Sequence, residues 1–177
     1  MNNGKITGHL VDTLHYKDGT EKVIDHGYNT ITNGLHQLLA QLIGGLSTSA
    51  QGATFVDITS ASGLYFVVGS KPTTGSSSRA ISADDTVANS FASADQIMAK
   101  AVTDVTIDST TKNKIVVACN FTEQEATGEW QTCGIVKGGT LSGTPTKISG
   151  GVLLNRKEAT LSKNTSFSVT RTFEFIF

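Results

Sequence analysis

Apolar and polar positions alternate almost without error over residues 167–177. Phe167, Val169, Phe173, Phe175 and Phe177 fall on one side, and Ser168, Thr170, Thr172 and Glu174 on the other. A period of two makes a strand with one buried face. Chain ends fray unless something ties them down. This strand is therefore expected to be central or paired in a sheet, with the protein built inward around it and no further domain after it. Arg171 interrupts the apolar side. A buried cation needs a partner, so Arg171 is expected to pair with a carboxylate of this chain or a neighbouring subunit, unless the face opens to solvent there.

The same pattern predicts the other elements. Residues 5–28 read as a hairpin: Ile6, Gly8, Leu10, Leu14 and Tyr16 alternate outward, and Val23 and Ile24 lie on the return. Asp18-Gly19 supplies the positive φ angles of a type I′ turn. Pairing Lys17 with Thr20 would set Asp12 against Asp25, so a bulge, an end of pairing or a weak cation site is expected there. Residues 32–45 carry Leu35, Leu38, Leu39, Leu42 and Ile43 at helical spacing, with Thr32 or Asn33 as cap and Gly44-Gly45 as stop. Residues 46–62 and 70–86 read as polar loops around a short apolar strand at 64–69. Strands are expected at 97–107, 114–121 and 129–137, a flexible loop at 138–151, and a strand from Val152. The sum is a mainly β protein: an antiparallel β-sandwich, jelly-roll-like, with one amphipathic helix near the N-terminus. It divides into an N-terminal attachment hairpin, 1–30, and a sandwich domain, 31–177.

Composition narrows the function. The 177 residues suit one domain with a real core. Fourteen basic side chains against fifteen acidic ones leave no basic stripe, so nucleic acid is not an expected partner. No apolar run approaches the ~18 residues that cross a membrane, and residues 1–5 lack a secretory pattern. The protein is expected to fold in a cytoplasm, with Cys119 and Cys133 as free buried thiols.

Candidate chemistry is sparse. His9 and His15 share a face but lie about 20 Å apart along a strand, and His26 and His36 complete no ligand set. No nucleophile elbow, zinc helix or phosphate loop is present. Glu123, Glu125 and Glu129 read as acidic turns, and Asp84-Asp85 lacks the spaced partners of a cation loop. No enzyme, cofactor or metal is expected. Trp130 is the single tryptophan. With Thr132 and Gly134 on its face, it is either a core residue or the platform of a carbohydrate-binding module.

Several short motifs, in order, carry a resemblance. Asn29-Thr30-Ile31-Thr32-Asn33-Gly34-Leu35 leads into the Leu-rich helix. Tyr65-Phe66-Val67-Val68-Gly69-Ser70 precedes Pro72, and Asp85-Thr86-Val87-Ala88-Asn89 closes that loop. Glu129-Trp130-Gln131-Thr132-Cys133-Gly134-Ile135 is followed by Gly151-Val152-Leu153-Leu154-Asn155-Arg156. Their order resembles a family of small tailed-bacteriophage structural proteins, and is similar to the N-terminal attachment domain of phage tail-collar fibres. Ser70, Ser90 and the stretch Cys133-Gly134-Ile135-Val136 depart from the family pattern. The resemblance implies a virion component without catalysis, made in a host bacterial cytoplasm. It implies a homo-oligomer, a trimer for preference, that meets capsid, portal, neck or tail proteins. Capsid decoration or a head fibre is the first expectation, and a tail-fibre or collar adaptor the alternative. Leu35, Leu39, Leu42 and Arg171 are the expected oligomer or attachment contacts, and Trp130 the glycan contact of the competing module.

Overall fold

A computed structural model of the chain describes residues 6–36, 39, 63–70, 85–108, 110 and 113–177. Eleven strands form among them: β1 (Thr7–Tyr16), β2 (Glu21–Ile31), β3 (Leu64–Gly69), β4 (Gln96–Ala101), β5 (Asp104–Ile107), β6 (Lys114–Phe121), β7 (Gly128–Lys137), β8 (Thr140–Ser142), β9 (Lys147–Ser149), β10 (Val152–Lys163) and β11 (Phe167–Ile176). Nine of them make one antiparallel sheet in the order β4-β3-β7-β10-β2-β1-β11-β6-β5, and β8-β9 is a separate hairpin. The protein is thus mainly β. The terminal strand β11 sits between β1 and β6, as its alternation predicts.

The sheet is curled, and its two edge strands are joined through a corner. Edge strands β4 and β5 are consecutive in the chain, separated only by Val102 and Thr103. Val102 N donates to Leu64 O on one side, and Thr103 N to Ala118 O on the other. The expected single strand at 97–107 is therefore broken at a corner. Curling brings the inner faces of the two halves together. Phe66 stacks on Phe173 at 5.3 Å, and Phe121 meets Trp130 edge-on at 5.1 Å.

Strand β2 joins the halves. It pairs with β1 along most of its length, and with β10 only at Thr30 and Ile31. The hairpin read as a separable attachment segment, 1–30, therefore lies in the middle of the sheet, and Leu10, Leu14 and Ile31 belong to the main core. No boundary falls at residue 30.

The turn differs by one residue from the expected one. Tyr16 N donates to Thr20 O, leaving Lys17, Asp18 and Gly19 as a three-residue loop with Gly19 at φ 83°. Asp12 then faces Ile24, and Asp25 faces Val11. A bulge does occur, further along: between Leu10 and Val11 the register slips, His26 is the extra residue, and Gly27 takes φ 70°. Asp12 points inward and Asp25 outward, so the two carboxylates never form the cation site considered for them.

One half of the sheet is buried on both faces. Val67, Ala99, Val136 and Leu153 lie under Val87, Phe91 and Ile148, which come from a short helix α1 (Val87–Ser90), the residue after it, and the β8-β9 hairpin. The stretch read as a flexible loop at 138–151 contains that hairpin. Helical conformation occurs at residues 33–36 and at 39. The remainder of the expected 32–45 helix, with Leu38, Leu42 and Ile43, lies outside the described residues, as do the loops at 46–62 and 71–84.

Candidate functional site

The first site is an ionic cluster inside the core. Asp12 on β1 and Arg171 on β11 stand directly opposite each other on the inner face. Arg171 Nε donates to Asp12 Oδ1 at 2.6 Å, and Nη2 donates to Oδ2. The bulge turns His26 inward, where its Nε2 lies 2.9 Å from Asp12 Oδ2. The Arg171 guanidinium sits 4.6 Å above the Trp130 ring. Asp12, Arg171 and Trp130 have no exposed surface. Burial alone would raise the Asp12 carboxyl. The charge and hydrogen bonds of Arg171, aided by His26, outweigh it and hold the group below the ordinary carboxylate range.

This cluster corrects two expectations. Arg171 is no interface residue: the carboxylate it needs comes from its own chain. Trp130 is no glycan platform: its Nε1 donates to the carbonyl of Ala126, which holds a left-handed φ of 51°. Trp130 and Cys133 both enter the main core although their parity differs, so Trp130 does not share a simple face with Thr132 and Gly134. Leu35 is buried in the chain's own core, Leu39 packs partly against it, and Leu42 lies outside the described residues. Leu35 therefore offers no free contact surface.

The thiols are free, buried and unreactive by environment. Burial pushes Cys119 up to about 12. Burial pushes Cys133 up to about 11, against the opposing charge of Arg171. Among the described residues no group of three His, Cys, Asp or Glu side chains is placed to hold a metal. No helix there is long and apolar enough to cross a membrane.

The second site is the layer around α1. Thr86 caps the helix, accepting from Asn89 N while Asn89 Oδ1 accepts from Thr86 N. Asp85, one residue earlier, receives Arg156 Nη1 at 3.0 Å in a buried pair. Arg156 Nε also donates to Thr132 Oγ1 at 3.4 Å. Asn155 Oδ1 accepts from Ile135 N where the β10–β7 register slips. Phe91 lies over the backbone at Gly69 and Gly134; a Cβ on Gly134 would stand 2.7 Å from Asn155 O and 3.1 Å from the Phe91 ring. Gln96 ties α1 to β9, giving Nε2 hydrogen bonds to Phe91 O and Ile148 O and accepting from Ile148 N. A groove of about 420 Å³ runs between α1 and Gly150-Gly151, lined by small, apolar and hydroxyl side chains with no titratable group.

Sequence reasoning placed Arg171 against a carboxylate and missed which one, because Asp12 lies 159 positions away. The α1 cap was visible as Asp85-Thr86-Val87-Ala88-Asn89, a Thr followed by an amide three residues on. No family model, curated protein or solved structure matches the chain.

Proposed function

We propose that this protein is a non-enzymatic structural component of a tailed-bacteriophage virion, acting as a homo-oligomer on the capsid as a decoration protein or head fibre. The observation that carries the reading is spatial. Four of the motifs whose order resembles the phage family lie far apart in sequence and meet in one layer. Gly69, Asp85-Thr86, Thr132 to Ile135 and Asn155-Arg156 all pack around α1. Their residue types are those that a cap, a buried ion pair and a close backbone approach require. The two facing halves of the curled sheet are, in this reading, the layers of a jelly-roll-like sandwich.

The chemistry supports a structural part. The ionic cluster is sealed in the core, both thiols are held in the protonated form, and the described groove has hydroxyls but no titratable side chain to activate them. Labelled antibody against this chain, imaged on purified particles by electron microscopy, tests the assignment. Label over the head is expected. Label confined to the neck or tail would make the protein a collar or fibre adaptor. Particles without label would overturn the virion reading.

A further inference from the structure

One half of the sheet has its outer face covered by α1 and the β8-β9 hairpin, whereas no described element covers the outer face of β2-β1-β11-β6. The pairing registers lay that face out in rows across the four strands. Val23, Thr13, Thr170 and Asn120 form one row; Asp25, Val11, Thr172 and Ala118 the next; Tyr28, His9, Glu174 and Val116 the third. Tyr28 is 70% exposed and Val23 is 64% exposed. The middle of the face has hydroxyls and small aliphatics where a solvated sheet face would usually have lysine and glutamate.

We propose that this face is a two-fold contact between copies of the chain. The inference rests on the homo-oligomer part of the function proposed above and names the surface that such an oligomer uses. A second copy is the occupant because the face is complementary to itself. Rotation by 180° about an axis along the strands, between β1 and β11, exchanges β1 with β11 and β2 with β6. His9 then faces Glu174 of the second copy, and Glu174 faces its His9. Val11 meets Thr172, Thr13 meets Thr170, and Tyr28 covers Val116. Aligned sheets pack about 10 Å apart, a distance these side chains fill. Within one chain His9 lies between Asp25, at 2.8 Å, and Glu174, at 3.5 Å, and Glu174 also accepts from Lys114 Nζ at 3.1 Å, so the facing side chains are held in place before association. Asp25 and Asp104 fall toward the rim, where water and salt screen them. A two-fold contact of this kind makes a dimer, or joins two trimers back to back.

Analytical ultracentrifugation of the full chain at ~100 µM tests the proposal. The wild type is expected to sediment with an even number of copies. Thr172→Arg, whose side chain points outward, is expected to halve that mass while the far-ultraviolet circular dichroism of the folded chain stays that of the wild type. His9→Glu should raise the dissociation constant tenfold or more by setting like charges face to face, and His9→Glu with Glu174→His should restore it. A monomeric wild type, or a Thr172→Arg variant of unchanged mass, would overturn the contact. Neither result would alter antibody labelling of particles, so failure of the contact and failure of the virion assignment are separable.

Discussion

At the scale of single residues, stability turns on Asp12. It is a buried carboxylate bridging a buried guanidinium and an imidazole, and removal of one member of such a pair leaves an uncompensated charge in the core. Asp12→Ala is expected to cost about 3–5 kcal/mol, read from urea unfolding midpoints. Asp12→Leu combined with Arg171→Met should recover most of that loss, since an apolar pair of similar volume needs no desolvation. A double variant as unstable as the single one would refute the account. The pH dependence follows from the same group. A carboxyl depressed in the fold contributes stability above its unfolded value of about 3.9, and that contribution is lost as pH falls through the folded value. The wild type should therefore weaken steeply below about pH 4, and Asp12→Asn should show a shallower slope. The thiols make a separate test. With Cys119 near 12 and Cys133 near 11, neither is expected to react with a thiol-specific disulfide reagent at pH 8 in the native state. Both should react once the chain is unfolded in urea.

At the scale of elements, the long strands were legible, and the short β8-β9 hairpin and the corners were not. The alternation of β11 named the buried face of Phe167, Val169, Phe173 and Phe175, down to the misfit at Arg171, but the strand ends at Ile176 and Phe177, expected on that face, is exposed. Residues 97–107 read as one strand because nothing in Lys100-Ala101-Val102-Thr103-Asp104 signals a break. The break exists because Val102 and Thr103 find backbone partners on opposite edges of a curled sheet. The hairpin turn shows the limit of local rules. Asp18-Gly19 suits a two-residue turn and a three-residue one equally, and the register followed from the longer. The α1 layer depends on close approach. Gly134→Ala is expected to cost about 1–3 kcal/mol by overpacking, because its Cβ would press on the Asn155 carbonyl and the Phe91 ring. Thermal melts of that variant against Gly19→Ala, whose Cβ would meet nothing within 4 Å, separate crowding from backbone strain.

At the scale of the whole molecule, the N-terminal hairpin is the centre of the structure. Removing residues 1–30 deletes β1 and nearly all of β2, the strand that links the two halves, and takes Asp12 from Arg171. The deleted chain is expected to be insoluble or fully sensitive to protease. A soluble, protease-resistant fragment would mean that the halves fold independently. Position in sequence suggested an appendage, and position in the sheet makes the hairpin a keystone.

Local pattern alone determined that this chain is built of antiparallel strands and that the strand at 167–176 is an interior one. Both follow from periods, which short stretches carry by themselves. The tertiary structure alone decided that Asp12 answers Arg171, that Trp130 lies beneath that guanidinium and away from solvent, and that the chain turns a corner between the two edge strands at Val102-Thr103. Those pairings join residues far apart in the chain, and only the curl of the whole sheet brings them within reach.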